Sequence, residues 1–172
     1  GKFGKDAASP LMSGLYAGRS CRPDTIVETS RLARRVNKWT LFDDRRLIRF
    51  LGYCKKTAGA GLTGTLSTED HPSCVVRFWP DADLAGNPAE DARSTNCSWI
   101  EVASTISTRC MPLHWSGKRS TTTDDSTMVA ELDSMHSGLK TDALPSVDHL
   151  QWLLQREVIL VVKEDITQAI QA

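Results

Sequence analysis

Acidic side chains stand at the ends of predicted buried strands and near the start of a predicted helix. Asp81 follows the predicted strand 75–79, and Asp83 comes two residues later. Glu131 lies in the first turns of a helix, and Asp165 follows the last apolar strand. Buried carboxylates are costly unless they are paired or bind metal. Asp81, Glu131 and Asp165 could together hold Mg²⁺, which prefers oxygen ligands and, as two ions about 4 Å apart, promotes phosphodiester cleavage.

The same residues have an ordinary structural explanation. Acidic residues just past strand ends are common in turns and as helix caps. The four histidines show no spacing typical of metal ligands. Spacing alone therefore leaves the catalytic and the structural interpretation open.

Two amphipathic helices are predicted in the first third of the chain. The segment Arg22-Pro23-Asp24 interrupts the preceding pattern and precedes the first helix, 26–38, because proline favours the start of a helix. The second helix covers 42–56. Its predicted apolar positions are Leu47, Ile48, Leu51 and Cys54.

From about residue 62 the pattern becomes strand-like, following a run of glycines. The predicted strands are 62–66, 74–79, 96–103, 111–115 and 158–162. The predicted helices are 126–140, one that Pro145 opens, and one that starts near Ile166. Strands, a helix pair, a strand and a final helix indicate an α/β or α+β sheet domain. Four tryptophans with apolar neighbours are expected in its core: Trp79, Trp99, Trp115 and Trp152.

The formal net charge of zero conceals two halves of opposite sign. Residues 1–70 contain 13 basic and 7 acidic side chains, a net charge of +6. Residues 71–172 contain 8 basic and 14 acidic side chains, a net charge of −6. The positive charge lies mainly on the two predicted helices. Such asymmetry hints at contact with a polyanion on one side and different chemistry on the other.

The cysteines indicate a reducing environment. Five are present, an odd number, and they are widely spread with no Cys-x-x-Cys pair. This argues against a zinc site and a disulfide framework, and favours mostly buried thiols in an intracellular compartment, whether nucleus, cytoplasm or organelle. No apolar run is long enough to span a membrane. The missing N-terminal methionine predicts a fragment or a processed chain.

Several segments, in order and near-normal spacing, resemble the C-terminal part of a copia-type retrotransposon polyprotein. Asp81-Ala82-Asp83-Leu84-Ala85-Gly86 is similar to the family's DADWAG, and Ser126–Leu132 is similar to its STTEAEY. The other matching segments are Leu15-Tyr16 with Arg22-Pro23-Asp24, Asp44–Tyr53, Arg93-Ser94-Thr95, Trp115–Arg119 and Glu164–Ile170. The resemblance covers almost the whole chain.

The resemblance implies the end of a reverse transcriptase followed by a ribonuclease H domain. Residues 1–60 would be a helical connection segment, and 61–172 a ribonuclease H-like domain with a mixed sheet flanked by helices, an α/β fold. Asp81 would be the first-strand metal ligand, Glu131 the helix ligand and Asp165 the fourth-strand ligand. The implied reaction is Mg²⁺-dependent hydrolysis of RNA in an RNA–DNA hybrid.

Basic residues in two places are candidates for contact with nucleic acid. Electrostatic contact with phosphates would suit the charge of the two N-terminal helices, although charge runs are more often solvated surface. The stretch 116–120 could also contact phosphate, but it lacks the glycine pattern of a phosphate loop. The candidate residues are Arg31, Arg34, Arg35, Lys38, Arg45, Arg49, Lys118 and Arg119.

Departures from the family pattern favour a second interpretation. Ile166 replaces the family's Asn, Asn96-Cys97 stands where a glycine is usual, and Val129 replaces an acidic residue. The family's fourth acidic residue would lie beyond Ala172. The alternative is therefore a catalytically inactive, co-opted ribonuclease H fold, whose partners would be protein subunits of a large assembly rather than nucleic acid. Joint retention of the three carboxylates favours the enzyme.

Overall fold

A computed structural model describes residues 1–84, 93–121 and 123–163. The chain divides into two compact units, Gly1–Leu62 and Thr63–Ala172. Among the described residues, none of the helices has both the length and the apolar character needed to cross a membrane.

The first unit, here called the helical unit, contains three α-helices: α1 (Ala8–Ser20), α2 (Ile26–Ala33) and α3 (Leu41–Lys56). Short 3₁₀ turns at Pro23–Thr25 and Val36–Lys38 flank α2. Helix α1 begins at Ala8, directly after turns in residues 2–7. The core of the unit consists of Ala7, Leu11, Leu32, Leu47 and Phe50.

Helix α3 matches its predicted range but not its predicted buried face. Leu47 and Phe50 are buried, whereas Ile48 and Leu51 are 57% and 44% exposed. The prediction of the buried face was wrong because that face begins with two acidic residues, Asp43 and Asp44, and continues through Leu47 and Phe50. Apolar periodicity does not reveal such a face.

The described part of the second unit, the sheet unit, contains four strands and two α-helices. The strands are β1 (Cys74–Asp83), β2 (Thr95–Ser104), β3 (Cys110–Arg119) and β4 (Leu160–Val162), and the helices are α4 (Thr127–Gly138) and α5 (Leu144–Leu154). A π-helical turn, Leu139–Ala143, joins α4 to α5. The sheet order is β3-β2-β1-β4. Strands β1, β2 and β3 are antiparallel neighbours, and β4 is parallel to β1. The α/β class predicted from the sequence is therefore confirmed.

Alternation along the strands builds the core of the sheet unit. Val76 and Phe78 on β1 and Ile100 and Val102 on β2 are buried together with Ala143, Val147 and Leu150 from the helical side and with Val158 from the segment before β4. Successive side chains of a strand point to opposite faces, so one face of the sheet packs against α4 and α5. The predicted helix near Ile166 lies outside the described residues.

Two expectations about the sheet unit were wrong. Segment 62–66 is not a strand: Thr65 N–H donates a hydrogen bond to the Cys110 carbonyl (3.1 Å), but no ladder follows. Trp79 and Trp152 are 43% and 69% exposed rather than in the core. Trp79 points away from the alternate positions that form the core, and Trp152 lies outside the buried stripe of α5, which Val147 and Leu150 define.

Candidate functional site

Asp81 and Asp83 lie within β1, not beyond it. Asp81 pairs with Cys97 on β2, and Asp83 pairs with Thr95. Both carboxylates are exposed, and they alternate with Pro80 and Ala82, which are buried and half-buried. The end of β1 thus holds two acidic side chains on one face of the sheet.

Glu131 lies in helix α4, and its side chain is buried. Ser126 caps the helix by accepting a hydrogen bond from the Val129 N–H (3.3 Å). One turn beyond Glu131, the Ser134 hydroxyl donates to the carbonyls of Asp81 (2.7 Å) and Cys97 (3.2 Å). These bonds attach α4 to the paired ends of β1 and β2.

Gly138 lets α4 approach the sheet closely. A Cβ atom at this position would lie 2.6 Å from the ring of Phe78, which is itself fully buried. A side chain would force either the ring or the helix to move. Gly138 and Ser134 together therefore fix the distance of Glu131 from the strands.

The negative charges of three carboxylates affect the ionisation of the Cys97 thiol. Burial raises the pKa of Cys97 above its usual value of 9, and the negative charges of Asp81, Asp83 and Glu131 raise it further, to about 11. We call these three residues the acidic cluster. The sequence predicted Asp81 and Glu131 as ligands of one metal site, whereas Asp83 was part of the matching segment and was assigned no catalytic role.

The remaining predicted ligand, Asp165, lies outside the described residues. The strand before it, β4, runs parallel to β1, with Val162 opposite Phe78. Within residues 1–84, 93–121 and 123–163, no group of three or more His, Cys, Asp or Glu side chains is arranged to hold a metal ion. The donor type of the acidic cluster nevertheless fits Mg²⁺, since all its side-chain donors are carboxylate oxygens.

The predicted nucleic-acid contacts differ in how accessible they are. Arg35 is only half-exposed and forms an ion pair with Asp43 (2.5 Å), and Arg119 is half-buried. The exposed candidates are Arg31, Arg34, Lys38, Arg45, Arg49 and Lys118. In the helical unit, most of the predicted basic contact residues are therefore exposed to solvent, whereas Arg35 binds an acidic residue of the same unit.

A polar network that the sequence analysis missed lies between the sheet and the π-helical turn. Asp142 accepts hydrogen bonds from Ser98 (2.9 Å), Ser116 (3.3 Å) and Thr141 (2.9 Å). Burial opposes ionisation of Asp142, but the bonds from Ser98 and Thr141, with the charges of His114 and Lys118, lower its pKa. The sequence signal that could have indicated this network is Ser98, a polar residue on β2 two positions before Ile100 and therefore on the same buried face.

No family model, curated protein or solved structure matches the chain.

Proposed function

We propose that this chain is a retroelement-derived ribonuclease H-like protein that hydrolyses the RNA strand of RNA–DNA hybrids with Mg²⁺. The observation that supports it best is that Ser134 of α4, one turn beyond Glu131, donates a hydrogen bond to the Asp81 carbonyl (2.7 Å) and so holds the helix of Glu131 against the end of β1. The elements agree with the resemblance: Asp81 is on the first strand, Glu131 is on a helix, and Asp165 follows the fourth strand. Asp81, Glu131 and Asp165 would hold the metal.

The residues of the chain have separate tasks in this proposal. Bound Mg²⁺ would supply water activation and stabilisation of the leaving oxygen. Ser134 and Gly138 position Glu131 by holding α4 against β1 and β2. The exposed carboxylates of Asp81 and Asp83 stand where a bulky duplex can reach them.

Cleavage of an end-labelled RNA–DNA hybrid with and without Mg²⁺ tests the proposal. We expect Asp81→Asn and Glu131→Gln each to lower the cleavage rate at least about a hundredfold, since each ligand contributes several kcal/mol of transition-state stabilisation. Asp148→Asn, an exposed acidic residue of α5, is the matched control and should cut like the wild type. Identical cleavage rates for wild type and Asp81→Asn would exclude the proposed enzymatic function.

A second candidate function is that of an inactive fold serving as a subunit of a larger assembly. Large apolar side chains on α5 favour it: Leu144, Trp152 and Leu153 are 50%, 69% and 58% exposed. Exposed apolar patches often mark protein–protein contacts. The same cleavage assay separates the two candidates, because a scaffold gives no Mg²⁺-dependent product that Asp81→Asn abolishes.

A further inference from the structure

A cavity of about 430 Å³ lies within the helical unit, between α3 and the start of α2 with the turn that precedes it. We call this surface the α2–α3 groove. Phe50 is the buried part of its lining, whereas Arg49 and Tyr53 are exposed at its rim. The volume is within the range of ligand pockets in proteins, so the groove can receive a large side chain of another molecule.

The acidic groups in the wall of the groove are paired within the helical unit. Glu28 accepts two hydrogen bonds from Arg46 (2.9 and 2.8 Å), and Asp24 accepts two from Arg22 (2.9 and 2.7 Å) and one from the Tyr53 hydroxyl (2.7 Å). The bonds from Arg22, with a smaller contribution from Tyr53, outweigh burial and lower the pKa of Asp24 to about 2. Among the described residues that line the groove, neither carboxylate is therefore left for an incoming cation.

The charge that α3 presents to solvent is positive. Arg49 is exposed and has no hydrogen-bond or ion-pair partner within the described residues. Arg45, four residues before it, and Lys56, seven residues after it, are exposed on the same stripe of the helix. The two acidic residues of α3, Asp43 and Asp44, are buried, so every charged side chain that α3 exposes is basic.

Large apolar side chains flank this basic stripe. Phe42 is 63% exposed on the side of the groove, and Leu41 and Ile48 are 70% and 57% exposed on the other side. Phosphates of nucleic acid are neutralised by basic side chains and gain nothing from exposed apolar ones. A surface that combines cations, apolar side chains and a cavity matches a partner that carries carboxylates and apolar anchors together.

We propose that the α2–α3 groove binds an acidic amphipathic helix of a partner protein. A large apolar side chain of this helix enters the cavity above Phe50, and carboxylates spaced four residues apart pair with Arg45 and Arg49. The occupant is a helix because the described part of the helical unit contains no strand whose edge an extended segment could join. The docking uses no residue of the acidic cluster, so it goes beyond the proposed cleavage.

Selection from a displayed library of helical peptides tests the groove. The peptides have the length of α3, apolar residues at the i, i+4 and i+7 positions, and Glu, Lys, Gln or Ala beside them. We expect the full chain to enrich peptides with Glu residues four positions apart. No enrichment, or enrichment of peptides without carboxylates, would overturn the proposal.

Arg49→Glu tests the charge complementarity of the groove. It should bind the enriched peptides at least about tenfold more weakly than the wild type, because an attractive pair of charges becomes a repulsive one. Arg19→Glu changes an exposed arginine of α1 that does not line the groove, and it is the matched control that should bind like the wild type. Equal binding by wild type and Arg49→Glu would overturn the proposal.

Phe42→Ser separates a protein partner from nucleic acid. It should weaken binding of the enriched peptides about fivefold, because the apolar contact is lost while the basic stripe remains. A labelled RNA–DNA hybrid in EDTA should not displace the peptides. Displacement by the hybrid, together with unchanged peptide binding in Phe42→Ser, would assign the groove to nucleic acid and overturn the proposal.

Two measurements on the wild-type chain cover the case in which a variant fails to fold. Hydrogen exchange should show that an enriched peptide protects α3 and leaves α5 unchanged, and equal protection of both helices would overturn the groove as the site. Sedimentation velocity without peptide should show a monomer. A dimer that the enriched peptide dissociates would mean that a second copy of this chain occupies the groove, which would overturn the assignment to a separate partner.

Discussion

The helical unit and the sheet unit differ in what surrounds their carboxylates. In the helical unit, Asp43 is fully buried and bonded to Arg35 and to both the N–H and the hydroxyl of Thr40. In the sheet unit, Asp81 and Asp83 are exposed, and their negative charges, with that of Glu131, add to the effect of burial and raise the pKa of Cys97. A carboxylate surrounded by donors and a cation stabilises a fold, whereas gathered carboxylates favour an added cation.

Asp44 extends the pattern of the helical unit. It accepts hydrogen bonds from the N–H groups of Lys2 (2.6 Å) and Phe3 (3.0 Å) and from the indole of Trp39 (2.7 Å). Although burial opposes ionisation, the bonds from Trp39, Phe3 and Lys2 lower the pKa of Asp44. These bonds attach the N-terminal residues to α3, which is a structural task.

The largest effect is expected from Asp43→Asn. The change removes the buried negative charge that Arg35 binds and weakens the cap of α3, so we expect the free energy of unfolding of the helical unit to fall by about 2–4 kcal/mol. Hydrogen exchange of peptides from α3, measured by mass spectrometry on the full chain, reports this loss.

The pH dependence of the same pair has a defined sign. Burial raises the pKa of Asp43, but the bonds from Arg35 and Thr40 outweigh it and lower the pKa to about 2, below the value of about 3.9 for an unfolded chain. The pair therefore contributes its full stability above about pH 4 and loses it as the pH falls toward 2. The difference in stability between wild type and Asp43→Asn should shrink over this interval.

Asp6→Asn is the control for this prediction, because Asp6 is an exposed carboxylate of the same unit. It should leave the protection of α3 unchanged. Equal protection of α3 in wild type and Asp43→Asn would show that the helical unit does not depend on internal charge balance, and the contrast with the sheet unit would disappear.

A smaller effect is expected from one glycine substitution in each unit. Gly138→Ala would place a Cβ atom 2.6 Å from the buried ring of Phe78, so we expect a loss of about 1–2 kcal/mol even though alanine is the better helix former. Gly52→Ala in α3 meets no atom within 4 Å and should stabilise the chain by up to about 1 kcal/mol. Chemical denaturation of the two variants measures both signs.

Gly138→Ala also bears on the candidate site. The displaced helix carries Glu131, so the Mg²⁺-dependent cleavage rate should fall in this variant and not in Gly52→Ala. A Gly138→Ala chain as stable as the wild type would mean that the contact of α4 with β1 does not fix the position of Glu131.

The sequence predicted elements well where local signals determine them. The range of α3 follows from its helical periodicity and from the reciprocal bonds between Thr40 and Asp43, which cap its first turn. Strands β1, β2 and β3 appear where alternating apolar runs were expected, each extended by a few residues. The long-range pairing of these strands then determines the α/β sheet.

The sequence did not predict the sites where polar groups are buried. Asp142 and Asn96 depend on Ser98 and Asp133, partners far along the chain. Asp43 binds Arg35, eight residues away, but the spacing of these two residues is not one that an apolar pattern registers. Hydrophobic periodicity treats such positions as surface. Asp81 and Glu131 were grouped from their predicted places at a strand end and on a helix, and from the family resemblance, because a helix–strand contact across 50 residues leaves no local signal.

The smallest effect, and the most direct probe of the sheet unit, is expected at the thiol of Cys97. Its pKa of about 11 exceeds the usual value of 9, because burial and the acidic cluster disfavour the thiolate, so the folded chain loses stability relative to the unfolded chain as the pH rises from 9 toward 11. Removing one negative charge with Asp81→Asn, or adding Mg²⁺ to the wild type, should lower the pKa of Cys97, because the thiolate is then repelled less.

The rate of alkylation of Cys97 by iodoacetamide at fixed alkaline pH, read by peptide mass spectrometry, follows that change, since the thiolate is the reactive form. Both treatments should increase the rate, and Asp148→Asn should not. Mg²⁺ should have a smaller effect on Asp81→Asn than on the wild type, because one of its proposed ligands is gone. If Mg²⁺ accelerates the reaction equally in both chains, the ion acts by general screening, and the acidic cluster binds no cation of its own.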